Sequence, residues 1–247
     1  VTAYDIQVQP ALQLYTVTLP EPDMHAPISD KRRLQQALAN DFELPIMDCE
    51  LSQLRILQKS LDKADRRVTA AVYQHQQIIG IWPGEKKVVY GLAIDLGSTT
   101  IAAQLCDMNT GEVIATAAAM NPQIRFGEDL MSRVSYVMMN EGGDLAMTKV
   151  VREAFNQLAS RAAKSAGIQV DEILDLVVVA NPIMHHLFLG IDPTPLGTAP
   201  FTLATDQTTV IRASDIDLHL HPEARVCILP CIAGHIGADT AGVSLSE

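Results

Sequence analysis

The segment Tyr90–Thr100, YGLAIDLGSTT, limits the fold more than any other part of this 247-residue chain. A short apolar stretch, typical of a buried strand, leads directly into Asp95, then into Gly97 and a run of hydroxyl residues. Glycine lets the backbone approach a ligand closely, and the amides and hydroxyls of such a turn can donate to phosphate oxygens. A carboxylate at this place can hold Mg²⁺ through water. The segment therefore predicts a strand–turn–strand phosphate site, and the alternative is an ordinary hairpin turn.

A second glycine-containing loop, residues 233–240, follows another short apolar run. Gly234 and Gly237 lead to a predicted helix that begins at Asp239, where the helix dipole and free amides favour an anion. Asp239 and Thr240 are also ordinary capping residues, so this loop alone is explained equally well by capping. Two such loops, each after a buried strand, can face each other across a cleft, and together they favour an anion site.

Composition and charge exclude several classes of protein. The net charge is −11 and aromatic residues make up only 4%, which disfavours non-specific binding to nucleic acid or an anionic membrane and stacking on single strands. We find no apolar run long enough for a bilayer and no signal peptide. Four cysteines are too few for a disulfide scaffold in a chain of this size. We therefore expect a cytoplasmic globular protein that binds neither nucleic acid nor membrane.

The hydrophobic pattern divides the chain into three parts. Residues 1–21 are predicted to be a proline-containing linker, 22–86 a small α+β domain, and 87–247 a larger α/β domain. In the small domain we predict helices over 31–40 and 51–61 and a hairpin with strands over 66–73 and 76–82. The larger domain is predicted to contain strands at 88–95, 99–106, 112–120, 176–180 and 226–229, and helices at 128–139, 145–166 and from 182. Hairpins followed by crossover helices and a central strand predict a mixed α/β sheet.

Further polar residues lie close to the predicted strand ends. Asn181 follows a buried strand at its carboxyl end, where α/β folds place ligands. His185 and His186 come in the next helix, but a histidine pair without a third ligand favours a structural role over a metal site. Cys227 and Cys231 lack a second pair, so they are predicted to be small buried residues.

A polar loop, residues 121–129, precedes the predicted helix at 128–139. Acidic residues favour the start of a helix, so a capping role is the favoured interpretation of Glu128. The role of Asp129 is left open between capping and the positioning of a metal or water.

The two glycine loops, in this order, resemble the phosphate segments of the superfamily of sugar kinases, actin and heat-shock chaperone ATPases. Longer stretches resemble more closely the reductive activators of corrinoid proteins. The stretches that carry this resemblance are 10–22, 29–34, 90–100, 121–134, 177–201 and 229–242. The resemblance implies a small middle domain followed by a ribonuclease-H-like ATPase domain with a mixed sheet and helices. Ala180-Asn181-Pro182 stand where the family usually has Gly-Asn-Thr.

The resemblance also implies an enzyme, an ATPase coupled to electron transfer. Such proteins use ATP and Mg²⁺ while an electron passes from a [2Fe-2S] cluster to the Co(II) corrinoid protein of a methyltransferase system, which restores Co(I). The chain is expected to be a fragment without the N-terminal cluster domain and without the last part of the ATPase domain, and to be inactive alone. A homodimer is left open.

By the same resemblance, Asp95 would hold Mg²⁺ and act in catalysis together with Asp239, which could orient the attacking water. The other residues implied to bind the nucleotide are Gly97, Ser98, Thr99, Thr100, Asn181, Gly234, Gly237, Ala238 and Thr240. Two alternatives remain: a non-hydrolysing docking module of an iron–sulfur protein, and a small-molecule kinase of the same superfamily.

Overall fold

The computed structural model describes residues 10–25 and 27–231. The chain forms two compact units. One contains the residues up to Val89 together with Asp107–Glu112, and the other contains Tyr90–Cys106 and the residues from Val113 onward. Each unit has its own sheet and its own hydrophobic core.

The first unit is a four-stranded sheet with two helices. Its elements are β1 (Leu12–Thr18), α1 (Asp30–Phe42), β2 (Asp48–Cys49), α2 (Leu51–Lys63), β3 (Arg67–Tyr73) and β4 (Gln77–Pro83). The strand order is β1-β3-β4-β2. The predicted helices and hairpin of this region are confirmed. Strand β1 pairs antiparallel with β3 over its full length, so residues 12–18, which the sequence assigns to a linker, form part of this sheet.

Both helices bury one apolar stripe against the sheet. Leu34 and Leu38 of α1, four residues apart, are fully buried, as is Leu61 of α2. Burial of each such side chain stabilises the fold by roughly 1.5–3 kcal/mol. Ser29 is the N-cap of α1, and its side chain accepts a hydrogen bond from the Arg32 amide.

The second unit is a six-stranded sheet with helices. Its elements are β5 (Tyr90–Leu96), β6 (Thr100–Asp107), β7 (Val113–Met120), α3 (Leu130–Met139), α4 (Gly143–Ala166), β8 (Ile173–Ala180), α5 (Pro182–Leu189), β9 (Thr209–Arg212) and β10 (Arg225–Ile228). The strand order is β7-β6-β5-β8-β10-β9. Strands β5 to β7 follow one another through short turns, β8 runs parallel to both β5 and β10, and β9 is antiparallel to β10. The predicted mixed α/β, ribonuclease-H-like fold is confirmed.

The two faces of this sheet differ in burial. Leu92, Ile94 and Leu96 of β5 alternate along the strand and are buried in the core that contains α4 and α5. On the other face, Ala93 and Asp95 are exposed. Strand β8 was predicted to be a buried strand, but its residues 177 and 179 are half-buried because they belong to this more open face.

The ends of the helices match their sequence signals. Gly167 ends α4 with a φ of 72°, the left-handed conformation that favours glycine. Pro182 occupies the first turn of α5, where its missing amide hydrogen costs nothing. Within the described ranges, none of the helices combines the length and hydropathy that crossing a bilayer requires.

Candidate functional site

Asp95 lies near the carboxyl end of β5, on the open face of the second sheet. A cavity of about 320 Å³ lies at this position. Its lining consists of Ala93, Ile94, Asp95, Ala102, Gln104, Val177 and Val179. Alanines 93 and 102 have small side chains, so space remains beside the carboxylate. Asp95 and Gln104 are the two polar side chains of this lining.

The turn between β5 and β6 consists of Gly97, Ser98 and Thr99 and is called the 97–99 turn below. A Cβ atom on Gly97 would lie 2.6 Å from the carbonyl oxygen of Thr100, closer than such atoms pack. The turn therefore requires glycine at this position in its present shape. Ser98 is half-buried, whereas Thr99 and Thr100 are exposed.

The carbonyls of the 97–99 turn are bound by a different part of the chain. Asn121 donates from Nδ2 to the Gly97 oxygen at 2.8 Å and from its backbone amide to the Thr99 oxygen at 2.8 Å. Arg133 donates from Nη2 to the Ser98 oxygen at 2.6 Å. Both Asn121 and Arg133 are fully buried. The turn is thus fixed by residues that follow it by more than twenty positions.

Arg133 makes two further contacts. Its Nε donates to the Gly127 oxygen at 2.9 Å, and its Nη1 lies 3.2 Å from the sulfur of Met184. Burial lowers the pKa of the Arg133 guanidinium, and the charge of Asp129 opposes this effect. Asp129 itself is exposed and accepts a hydrogen bond from the Ser132 amide, which makes it the N-cap of α3. The capping role that the sequence favoured for Glu128 therefore falls to its neighbour, because Asp129 has an extended backbone and its side chain makes the capping hydrogen bond.

Asn181 lies at the same edge of the sheet as the 97–99 turn. Leu96 and Ala180 are register partners in the parallel pair of β5 and β8, so the residues that follow them are close to this edge. Asn181 Oδ1 accepts from the Met184 amide at 3.0 Å and caps α5. The structure therefore brings Asp95, the 97–99 turn and Asn181 to one edge, and gives Asn181 a capping contact there.

The two histidines of α5 are buried. His186 Nδ1 lies 2.8 Å from the Pro182 oxygen, and its Nε2 accepts from the Ala204 amide at 3.0 Å, so the neutral ring fits both contacts. The ring nitrogens of His185 have no hydrogen-bond partner among the described residues. Burial, followed by the neighbouring His186, lowers the pKa of His185 to about 4. These environments agree with the structural role predicted for both residues.

The predicted second loop cannot be compared with the structure. Gly234, Gly237, Ala238, Asp239 and Thr240 lie outside the described residues, and their roles stay predictions.

The cysteines near the end of β10 were predicted to be small buried residues. Cys231 is buried and Cys227 is half-buried. Burial, helped by the nearby Asp175, raises the pKa of the Cys227 thiol. In the ranges 10–25 and 27–231, no group of three histidine, cysteine or acidic residues has an arrangement that could hold a metal ion.

A second groove, of about 370 Å³, runs along α4 and contains none of the predicted site residues. Lys149 and Arg152 line it together with Glu153 and Asp217, so neither sign of charge dominates. The site at Asp95 is favoured because it combines a carboxylate, a glycine turn and the carboxyl ends of strands.

Sequence reasoning did not identify Asn121, Arg133 or Gln104 as individual site residues. The segment 121–134 is part of the family resemblance and contains both Asn121 and Arg133. The sequence around Arg133, however, does not show whether its side chain is buried or exposed. Gln104 lies on the open face because it alternates with Ala103 and Leu105, which are buried. That alternation is the signal that could have placed it beside Asp95.

Fold and site together define a mixed α/β protein that presents a carboxylate and a glycine turn at the carboxyl ends of parallel strands. Two family models match it, the RACo linker region over residues 1–88 and the RACo middle region over residues 90–247. The chain therefore belongs to the RACo family, and its predicted resemblance to the reductive activators of corrinoid proteins is confirmed.

Two relatives agree with this assignment. The corrinoid activation enzyme RamQ of Eubacterium limosum is 30% identical over 161 residues, which are 65% of this chain and 27% of that enzyme. A solved structure of a reductive activator for corrinoid, iron–sulfur protein is 31% identical, with a TM-score of 0.90 over 98% of this chain and 39% of its own. The chain thus spans well under half the length of either relative.

Proposed function

We propose that this chain is part of an ATP-dependent activator that returns a corrinoid protein of a methyltransferase system from Co(II) to Co(I). The observation that carries the proposal is the joint position of Asp95, the 97–99 turn and Asn181 at one sheet edge, beside an open cavity. The names of the two relatives supply the corrinoid protein as the partner. Because the chain covers a minor part of those relatives, the activity belongs to the full-length protein.

In the proposed site, the nucleotide phosphates bind at the 97–99 turn. Asp95 would hold Mg²⁺ through water, which neutralises charge on the phosphates. Backbone amides and the hydroxyls of Ser98, Thr99 and Thr100 would donate to phosphate oxygens. Phosphoryl transfer needs mainly positioning and charge neutralisation, so such a site requires no nucleophilic side chain.

The second phosphate loop completes this proposal. Gly234, Gly237, Ala238 and Thr240 would contact the phosphates from the other side, and Asp239 would orient the attacking water. We assign residues 87–247 to the ATPase domain and residues 22–86 to the small α+β domain, and strand β1 of the predicted linker 1–21 belongs to the sheet of that small domain. Binding of ATP between two halves of the domain would close them and change the surface offered to the partner, as in other hinge-type switches.

The reduction itself is a one-electron step. The reduced [2Fe-2S] cluster, in a part of the protein outside these residues, would lose one electron, and the Co(II) corrinoid would gain it to become Co(I). This chain contributes the nucleotide site and its coupling to the partner surface, and no residue described here is proposed to carry the electron.

The test is the Asp95→Asn variant of the full-length protein, assayed for ATP-dependent formation of Co(I) from its absorbance. We expect a loss on the order of 10- to 100-fold, the usual effect of losing an outer-shell metal partner. The [2Fe-2S] spectrum should stay unchanged. Asp171→Asn, at an exposed carboxylate before β8, is the matched control and should keep full activity. Activity of Asp95→Asn equal to that of the control would overturn the proposal.

A further inference from the structure

The 97–99 turn is held from one side by the side chains of two buried residues, Asn121 and Arg133. Asn121 Nδ2 donates to the Gly97 oxygen at 2.8 Å, and Arg133 Nη2 donates to the Ser98 oxygen at 2.6 Å. Two consecutive carbonyls of the turn therefore point towards the same buried pair of residues.

The direction of these carbonyls fixes the direction of the following amides. In a planar trans peptide, the N–H group points opposite to the C=O group of the same unit. The Ser98 amide therefore points away from Asn121, and the Thr99 amide points away from Arg133. Both donors face away from the supporting residues, as a turn that receives an anion requires.

Arg133 also brings a positive charge behind the turn. It is 0% exposed, and its hydrogen-bond partners are two backbone carbonyls and the sulfur of Met184. In the part of the chain that the structure describes, no carboxylate lies within ion-pair distance of this guanidinium. Asp129, the acidic group that acts on it electrostatically, is exposed to water. A buried charge with neutral partners is costly, so a charge of opposite sign nearby would be stabilising.

A single peptide unit connects this charge to the ligand side of the turn. The guanidinium donates to the Ser98 carbonyl, and the amide hydrogen of the same unit belongs to Thr99. Hydrogen bonds in such a chain polarise one another, so a cation on the carbonyl strengthens the amide as a donor. The arrangement therefore favours an anion over an uncharged acceptor at the amide.

We propose that Arg133 is a positioning residue of the nucleotide site: through the Ser98 carbonyl it aims the turn amides at the phosphates and makes the site selective for phosphorylated ligands. This inference rests on the proposed nucleotide function. It deepens that function by assigning phosphate selectivity to a residue that does not touch the ligand.

The experiment compares ATP, ADP and adenosine as ligands of the full-length protein by calorimetric titration. In Arg133→Gln we expect the affinity for ATP and ADP to fall on the order of 10- to 100-fold, as for the loss of a charged hydrogen bond. The affinity for adenosine should stay within about twofold. Arg133→Lys keeps the positive charge but loses the planar guanidinium with its several donors, so it should keep part of the preference for ATP over adenosine.

Arg152→Gln is the matched control. Arg152 is also partly buried and donates to a backbone carbonyl, that of Phe188, at 3.1 Å. Arg152 lies on α4, and its described hydrogen-bond partners do not include the 97–99 turn. Replacement of Arg152 should therefore lower stability without changing the ratio of the affinities for ATP and adenosine. If Arg133 had a merely structural role, Arg133→Gln would likewise lower stability and leave the ATP-to-adenosine ratio unchanged.

The outcomes separate the inference from the function on which it rests. Wild-type protein that binds ATP, with an Arg133→Gln variant that keeps the ATP-to-adenosine ratio, would overturn the inference alone. Wild-type protein that binds neither ATP nor ADP would overturn both. Should Arg133→Gln fail to fold, Arg133→Lys decides. If this variant keeps both the wild-type affinity for ATP and the wild-type ratio of ATP to adenosine affinity, the guanidinium group does not have the proposed role.

Discussion

The side-chain amide of Asn121 donates to the carbonyl oxygen of Gly97 at 2.8 Å, although 24 residues separate the two in the sequence. The same side chain accepts from the Gln123 amide at 2.9 Å, and the Asn121 backbone amide donates to the Thr99 oxygen. A single buried residue therefore connects the end of β7 to the turn that is proposed to bind phosphate. The shape of that turn depends on this connection as well as on its own glycine.

Replacement of Asn121 by alanine should destabilise the protein. The change leaves the Gly97 carbonyl and the Gln123 amide without their buried partner, and each such group costs about 1–3 kcal/mol. We expect the free energy of unfolding to fall by roughly 2–4 kcal/mol in denaturant titrations followed by circular dichroism. Affinity for ATP should fall as well, because the Ser98 amide is no longer held in one direction.

Asn156→Ala provides the control for that variant. Asn156 makes the same kind of double contact, donating to the Asp217 oxygen at 2.9 Å and accepting from the His219 amide at 2.7 Å. These partners lie at an exposed site, where water can replace the lost bonds, so the expected cost is about 1 kcal/mol or less with ATP affinity unchanged. Equal costs for the two variants would contradict a special role of the buried amide.

Gly97→Ala should impair nucleotide binding as well as stability. Its Cβ atom would meet the Thr100 oxygen at 2.6 Å, so the backbone of the turn must move. We expect a loss of stability of about 1–3 kcal/mol and a fall in ATP affinity of at least about tenfold, measured by calorimetric titration. Gly167→Ala is the comparison, because its φ of 72° makes alanine unfavourable by roughly 1 kcal/mol at a site remote in sequence from the turn. A Gly97→Ala protein with wild-type affinity would show that the turn tolerates another shape.

The local part of this site could be predicted from the sequence because its signals are local. A short apolar run, an aspartate and a glycine within eight residues were enough to place β5 and the 97–99 turn. Apolar runs and alternation likewise predicted five of the six described strands of the mixed sheet but missed β9, and Pro182 predicted the start of α5. Each of these features depends on spacing within a single element.

The supporting residues could not be predicted because their role depends on tertiary contacts. Arg133 lies in the first turns of α3 among polar and apolar neighbours. The order of these residues does not show that its guanidinium is buried against Ser98 and Gly127. The same limit explains the assignment of the α3 cap. Glu128 and Asp129 are both suitable by composition, and only the backbone conformation decides between them.

Histidine 185 should make stability depend on pH. Burial lowers its pKa to about 4, below the ordinary value near 6.5, so the unfolded chain binds the proton more readily. Its contribution to the free energy of unfolding is then fully present above pH 6.5 and is lost as the pH falls towards 4. We expect a loss of about 1–3 kcal/mol over this range, measured by urea unfolding at several pH values. His185→Leu should reduce that slope.

The difference between wild type and His185→Leu isolates this effect from other groups. Asp175 acts in the opposite direction, because burial raises its pKa to about 6 and the folded state gains relative stability as the pH falls through that value. Since both proteins contain Asp175, its effect cancels in the difference. Identical slopes for wild type and His185→Leu would refute the prediction.

Gln104 should contribute to ligand binding because it lines the same cavity of about 320 Å³ as Asp95. Among the described residues, the other lining side chains are apolar, so Asp95 and Gln104 are the lining side chains with which a polar ligand can pair. An amide lacks the charge of a carboxylate, but it can donate to a phosphate oxygen or orient a water. Gln104→Ala should therefore raise the KM for ATP or lower the hydrolysis rate by about tenfold in phosphate-release assays, while stability changes by less than about 0.5 kcal/mol at this exposed position. Thr116→Ala, at an exposed position on the neighbouring strand β7, should change neither the kinetics nor the stability. If Gln104→Ala also left the kinetics unchanged, the ligand would not lie at this end of the cavity.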